Sequence, residues 1–151
     1  MRLEALWHKG ERAGKEDQMA QRSSPLRRRR ALIVEDEVVI ALSLEADMRE
    51  LGFDTCDLAA DEQEAFSHAS SNQPDVVLMD VNLEGDREGI DAAQRLREAC
   101  DVPIVFVTAC DDRDTLARIH RVVPGAPVLG KPVWRDRLAD AVTAVTTFRM
   151  W

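Results

Sequence analysis

Four short apolar runs in this chain each end at a polar residue. A short apolar run bounded by turn signals is typical of a buried strand in a parallel sheet. The runs and the residues that follow them are Ala31-Leu32-Ile33-Val34 before Glu35-Asp36, Val76-Val77-Leu78-Met79 before Asp80, Ile104-Val105-Phe106-Val107 before Thr108, and Ala126-Pro127-Val128-Leu129-Gly130 before Lys131. Because the carboxyl ends of parallel strands meet at one edge of a sheet, we expect these polar side chains to gather there.

Helical patterns fill the intervals between the strands. Strand candidates begin near residues 31, 53, 75, 103 and 126, and each interval leaves room for one helix and two turns. The apolar residues at helical spacing are Ile40, Leu44, Met48 and Leu51; Ile90, Ala93, Leu96 and Cys100; Leu116, Ile119 and Val123; and Trp134, Leu138, Ala141, Val142, Val145 and Phe148. Five such units predict an α/β fold with a doubly wound, five-stranded parallel sheet.

Capping residues predict several helix boundaries. Gly52 ends the first helix, and Asp61 with Glu64 three residues later resembles a capping box at the start of the second. The fourth helix is predicted to begin at Asp111 or Asp112 and to end at Pro124-Gly125.

Charge is distributed unevenly along the chain. Residues 1–30 carry a balance of +5 and residues 31–151 a balance of −13, which gives the net charge of −8. The acidic body argues against direct nucleic-acid binding by the domain. We interpret residues 1–29 as a mobile charged tail and residues 30–149 as one domain, and we expect no output domain. The run from Arg27 to Arg30 could contact nucleic acid or an anionic surface, but a solvated tail is the favoured interpretation.

The rest of the composition limits the function classes. No apolar run approaches the roughly 18 residues of a membrane span, and the N-terminus has no apolar core of a signal peptide. The three cysteines form no C-x-x-C pair, and the three histidines show no metal-ligand spacing. We therefore expect a cytoplasmic protein with reduced thiols.

The polar strand-end residues suit phosphoryl chemistry. Glu35, Asp36 and Asp80 would repel one another unless a cation lay between them, and hard oxygen ligands suit Mg²⁺, or Mn²⁺ in its place. Asp80 is placed to attack phosphorus and form an acyl phosphate. Lys131 would pair with one phosphoryl oxygen, and the Thr108 hydroxyl would hydrogen-bond another.

Each of these residues also has an ordinary structural interpretation. An Asp after a strand often caps a helix or a turn, which is the favoured interpretation for Asp36 alone and an even one for Asp80. Glu35 could be a solvated neighbour, Thr108 a strand terminator and Lys131 a surface lysine. Their joint occurrence at strand ends favours the site.

The stretches ALIVEDE, VVLMDVNL, VFVTA and GKP, in this order and at fitting spacing, resemble the receiver domain of bacterial response regulators. The resemblance covers about residues 30–149 and implies the flavodoxin-like fold with strand order 2-1-3-4-5. It implies that Glu35 and Asp36 are the acidic pair and Asp80 the phosphoacceptor. Thr108 is then the switch hydroxyl and Lys131 the phosphate-pairing lysine.

The resemblance carries further expectations. The backbone carbonyl of Asn82 would join Glu35, Asp36 and Asp80 around the metal, with Glu35 acting through water, and the Lys131–Pro132 bond would be cis. A sensor histidine kinase would donate the phosphoryl group, and a downstream protein would receive the signal. The chain would be a single-domain response regulator, which accepts a phosphoryl group and is not an enzyme; whether it acts as an output, a phosphate sink or a relay in a phosphorelay is left open. It would be a monomer, or a weak dimer through the face of the fourth helix, fifth strand and fifth helix.

Two features bear on the subfamily and the output. Many receivers have an aromatic residue three positions before the lysine, where this chain has Val128, so an aromatic rotamer switch cannot operate there. Val81-Asn82-Leu83 and Gly89-Ile90 resemble receivers paired with histidine kinases of the HWE type, although Phe106-Val107-Thr108-Ala109 matches their Phe-Ala-Thr-Gly signature only in part. We expect the fourth helix to be mobile and to become ordered on phosphorylation or binding.

Three other functions remain open. The first is a phosphorylation-independent adaptor of the same fold. The second is a phosphatase of the haloacid dehalogenase type, which Asn82 disfavours because those enzymes have a second Asp two residues after the nucleophile. The third is a cobalamin-binding module, which the absence of the ligand histidine disfavours.

Overall fold

A computed structural model describes residues 28–83, 88–109 and 112–147. One parallel sheet has the strand order β2-β1-β3-β4-β5. The strands are β1 (Arg30–Val34), β2 (Thr55–Ala59), β3 (Val76–Asp80), β4 (Ile104–Thr108) and β5 (Val128–Gly130). The helices between and after them are α1 (Val38–Glu50), α2 (Glu62–Asn72), α3 (Glu88–Cys100), α4 (Arg113–Val122) and α5 (Arg135–Thr147). The predicted fold class and strand order are confirmed.

The three central strands are buried on both faces, which explains their continuous apolar sequences. Successive side chains of a strand point to opposite faces, and they divide the core into two clusters. Leu32 of β1 packs with α2, α3 and α4, whereas its neighbour Ile33 packs with α1 and α5. Helices therefore cover both faces of the sheet, as a doubly wound topology requires.

The helix boundaries agree with most of the capping predictions. Asp61 accepts a hydrogen bond from the Glu64 backbone N–H at 2.8 Å, but the Glu64 carboxylate accepts from the N–H of Ala60 and not from that of Asp61. Asp112 caps α4 by accepting from the backbone N–H of Thr115 at 2.9 Å. Two of the other boundary residues lie outside the described ranges: Asp111 and Phe148.

Arg29 and Arg30 contact the domain, which corrects the interpretation of the whole arginine run as solvated. The Arg29 guanidinium lies 4.2 Å from the ring centroid of Phe53 and donates to the carbonyl of Leu51. Arg30 donates to the carbonyl of Asn72 at 2.6 Å. These carbonyls end α1 and α2, where a cation is favourable. Residues 1–27 of the predicted tail lie outside the described residues.

No helix in the described ranges has the length and apolar character needed to cross a membrane.

Candidate functional site

The turn after β1 brings two carboxylates to the carboxyl edge of the sheet. The Glu35 backbone N–H donates to the carbonyl of Ala59 at 2.9 Å, which extends the ladder between β1 and β2 by one residue. This bond draws the Glu35 side chain inward, where it is only 1% exposed. Asp36, the next residue, is exposed. Glu37 stands at the N-cap of α1, and its side chain makes no capping bond. Asp36 is therefore not the cap of this helix.

Asp80 ends β3, between β1 and β4 in the sheet, and is 5% exposed. One of its carboxylate oxygens, Oδ1, accepts from the backbone N–H of Asn82 at 3.1 Å. The other, Oδ2, lies 3.4 Å from the Nζ of Lys131. The Asp80 carboxylate is thus oriented by the turn that follows it and by a cation on the far side of β4.

Lys131 follows β5, and its backbone and side chain are both fixed. Its N–H donates to the carbonyl of Thr108 at 2.8 Å, and its peptide bond to Pro132 is cis, as predicted. Its Nζ donates to Oε2 of Glu35 at 2.7 Å, and only 14% of the side chain is exposed. Lys131 is therefore not a surface lysine, and Glu35 is not a solvated neighbour.

Thr108 is the last residue of β4 and is fully buried beside Gly130 of β5. The short edge strand β5 places Thr108 and Lys131 at the same edge of the sheet. Every strand-end residue predicted to form the site thus lies at the carboxyl edge of the sheet. Lys131 contacts both Glu35 and Asp80 directly.

Burial and charge set the electrostatics of the site. Burial raises the pKa of Glu35 to about 7; the nearby charge of Asp80 adds to this shift, and the hydrogen bond from Lys131 opposes it. Burial alone would lower the pKa of Lys131, but the hydrogen bond to Glu35 and the charges of Asp80 and Glu35 raise it overall. The lysine therefore remains a cation, while Glu35 takes up a proton more readily than an exposed carboxylate does.

The carboxylates of Glu35, Asp36 and Asp80 fit a hard divalent cation. Each offers one oxygen, and these three atoms lie within 4.8 Å of one another. Oxygen ligands at this spacing around a solvent-facing Asp36 suit Mg²⁺, which keeps several waters and takes few carboxylates directly. Asn82 is half-buried, and its N–H donates to the Asp80 carboxylate, so its backbone lies beside these carboxylates.

The sequence interpretation missed the pairing of Glu35 with Lys131. It treated Glu35 as a solvated residue or a water-mediated metal ligand and did not predict that the Lys131 ammonium donates to it at 2.7 Å. No local pattern could have indicated this bond, because the two residues are 96 positions apart.

Val128 lies three positions before Lys131, where many receivers have an aromatic residue. It is half-buried against the core and lies beside Phe106 in the ladder between β4 and β5. Phe106 is fully buried. The aromatic ring at this part of the sheet thus belongs to β4 and is enclosed by the core.

Within the described residues, all the large apolar side chains that are exposed belong to segments that directly follow site residues in the chain. Val38, Val39 and Leu42 are on the first turns of α1, just after Glu35 and Asp36, and are 68%, 82% and 52% exposed. Trp134 is three residues after Lys131 and is 70% exposed. We call these four residues the apolar rim.

Comparisons with known proteins agree with this geometry. The chain is 39% identical over 122 residues to the transcriptional regulatory protein PdtaR of Mycobacterium tuberculosis, covering 80% of this chain and 58% of that protein. It is 39% identical over 83 residues to the phyllosphere-induced regulator PhyR of Methylorubrum extorquens, covering 54% of this chain and 31% of that one. The chain thus spans less than two thirds of either relative.

A solved structure shows the same architecture. The signal receiver domain of a modulated diguanylate cyclase from Desulfovibrio desulfuricans G20 superposes with a TM-score of 0.72 at 33% identity, covering 81% of this chain and 96% of that one. Residues 31–143 match the response regulator receiver domain family, and this span contains every residue of the site. The chain therefore belongs to the response regulator receiver domain family.

Proposed function

We propose that this chain accepts a phosphoryl group on Asp80 from a sensor histidine kinase, with Mg²⁺ as cofactor, and signals through contacts with other proteins. The observation that carries this proposal is the meeting of three carboxylates with one buried ammonium group at the carboxyl edge of the sheet.

The chain's own residues supply most of what the transfer requires. A carboxylate oxygen of Asp80 forms a new P–O bond as the bond from phosphorus to the donor breaks, which yields an acyl phosphate and the free donor. Lys131 stands 3.4 Å from this carboxylate and is placed to pair with a phosphoryl oxygen. Thr108 is placed at the same edge to hydrogen-bond another. Asp36, Asp80 and the backbone carbonyl of Asn82, with Glu35 acting through water, would hold Mg²⁺, which would supply positive charge to offset the charge on the phosphoryl oxygens.

Labelling by a small phosphodonor tests this function. We expect acetyl phosphate with Mg²⁺ to add one phosphoryl group to the intact protein, and chelation of Mg²⁺ to prevent the addition. Asp80→Asn should abolish labelling, whereas Asp140→Asn, an exposed change on α5, should leave it unchanged. Intact-mass spectrometry reads both results. A wild-type protein that stays unlabelled, under conditions that label a control receiver, would disprove the proposal.

We propose further that the kinase docks on the apolar rim. A protein donor must bring its phosphoryl group to Asp80, so it must cover the surface beside the site. The residues of the apolar rim follow Glu35 and Lys131 closely in the chain, and exposed large apolar side chains are typical of interaction surfaces. The resemblance of Val81-Asn82-Leu83 to receivers of HWE kinases supports a kinase of that type, which phosphotransfer profiling against the organism's histidine kinases would test.

A phosphorylation-independent adaptor is the second candidate function. Val128 in place of an aromatic residue, beside the enclosed ring of Phe106, favours it because the usual aromatic movement has no counterpart at this position. Partner binding that is equally strong for the wild type and for Asp80→Asn would support the adaptor. Binding that increases with phosphorylation would support the first proposal.

A further inference from the structure

Gly89, the second residue of α3, lies directly against the backbone of Asp80. Its N–H donates to the carbonyl of Val81 at 3.0 Å. A Cβ atom added to Gly89 would lie 1.8 Å from the carbonyl oxygen of Asp80, 2.8 Å from its carbonyl carbon and 2.9 Å from the carbonyl oxygen of Val81. The space beside the Asp80 backbone thus admits only a hydrogen atom.

Position 89 requires a glycine because there is no room for a Cβ atom, and not because of its backbone conformation. The described glycines with positive φ are Gly52 and Gly125, at 98° and 80°, and a Cβ at either would meet nothing closer than 3.8 Å. Gly89 has the opposite character, because its backbone is helical and its surroundings are closed.

Neither α3 nor the end of β3 can move away from this contact without disturbing the core. On the helix side, Ile90 follows Gly89 directly and is fully buried, as is Leu96 two turns later. On the strand side, Met79 and Val81 flank Asp80 and are also fully buried. A carbon and a carbonyl oxygen ordinarily come no closer than about 3.3 Å, so an added methyl group would displace the end of β3 from α3 by about 1.5 Å.

We infer that Gly89 is a positioning residue for phosphoryl acceptance, because it lets α3 hold the Asp80 backbone in the place from which the carboxylate reaches the incoming phosphorus. This inference rests on the proposed function. The Asp80 carboxylate is aimed by the N–H of Asn82 and by Lys131, and both contacts depend on where the backbone of Asp80 lies. A misplacement of about 1 Å can slow a transfer on the order of a hundredfold.

The test compares Gly89→Ala with Gly52→Ala. Both variants add one methyl group, but Gly52 lies in the turn between α1 and β2, away from Asp80, where alanine introduces only the strain of a positive φ. We expect both variants to melt below the wild type. Labelling by acetyl phosphate with Mg²⁺, expressed per folded molecule from circular dichroism, should fall about 10- to 100-fold in Gly89→Ala and stay at the wild-type rate in Gly52→Ala.

Phosphoramidate, a second small phosphodonor, distinguishes a displaced Asp80 from an effect that is specific to acetyl phosphate. A displaced Asp80 should slow labelling by both donors by the same factor. If Gly89→Ala is partly unfolded, sucrose restores the folded fraction by its exclusion from the protein surface, and the rates are then measured in that solution. A folded Gly89→Ala that labels at the wild-type rate overturns the inference, as does a variant that fails to fold even in sucrose, since Gly89 would then serve the fold alone. An unlabelled wild type would instead defeat the proposed function itself.

Discussion

Lys131 contacts two carboxylates at unequal distances, and this asymmetry is the main electrostatic feature of the site. The lysine ammonium is 2.7 Å from Glu35 and 3.4 Å from Asp80. Removing one partner of a buried ion pair leaves the other charge uncompensated and is destabilising. The hydrogen bond to Glu35 thus holds the lysine ammonium inside the site.

The stability of the metal-free protein should depend on pH through Glu35. Its folded-state pKa, about 7, lies above the ordinary 4.5, so the folded protein binds this proton more tightly than the unfolded chain does. The free energy of unfolding should therefore fall by about 3 kcal/mol from this group as pH rises from 4.5 to 7. Urea denaturation across the range, without Mg²⁺, measures the slope.

Two variants isolate this contribution. Glu35→Gln should flatten the slope, because its side chain cannot titrate, whereas Glu98→Gln, an exposed change on α3, should retain the wild-type slope. If the free energy of unfolding varied with pH equally in Glu35→Gln and the wild type, the pH dependence could not be assigned to Glu35.

Among the elements, α3 and α4 differ in how much they bury. Four residues of α3 are fully buried: Ile90, Ala92, Ala93 and Leu96. The shorter α4 buries only Thr115 and Ile119, and its outer surface carries arginines. Local stability follows buried contacts, so α4 should open more readily than α3. This difference makes α4 the better candidate to change its order when the site is occupied.

Hydrogen exchange tests this expectation. Backbone amides of α4 should exchange faster than those of α3 in the free protein. Addition of beryllofluoride with Mg²⁺, which imitates the phosphoryl group, should slow exchange in α4 about tenfold if ordering is coupled to the site. Asp80→Asn should show no such slowing. Identical exchange in α4 with and without beryllofluoride would rule out the coupling.

For the whole molecule, apolar patterns were sufficient for four of the strands and four of the helices, because buried parallel strands and amphipathic helices leave strong local patterns. The other two elements, β2 and α2, were predicted from the spacing of the strands and from the cap at Asp61. The gathering of Asp36, Asp80 and Lys131 followed from one rule about strand ends. Contacts between residues distant in sequence could not be read in this way. Arg29 and Arg30 looked like part of a charged tail, yet they contact the ends of α1 and α2. Pairing between Glu35 and Lys131 and the packing of Gly89 are likewise products of the assembled fold.

The proposed docking of a protein donor on the apolar rim makes a prediction for the whole molecule. Replacing Val39 and Leu42 by Ser, or Trp134 by Ala, should slow phosphotransfer from a cognate kinase about tenfold or more, because anchor residues dominate such interfaces. Labelling by acetyl phosphate should stay at the wild-type rate, since a small donor needs no docking surface. Ala99→Ser, an exposed change at the end of α3, is the matched control. A rim variant that accepts phosphoryl groups from the kinase at the wild-type rate would show that the kinase binds elsewhere.

The contacts of Arg29 and Arg30 have a consequence for how this domain can be joined to others. They fix the start of the described chain at the ends of α1 and α2, and the end of α5 lies near the residues that precede β4 and β5. Both ends of the described domain thus emerge on the side away from Asp80. A segment joined directly to the described domain at Arg28 or Thr147 would therefore begin on the side of the sheet opposite the Asp80 carboxylate.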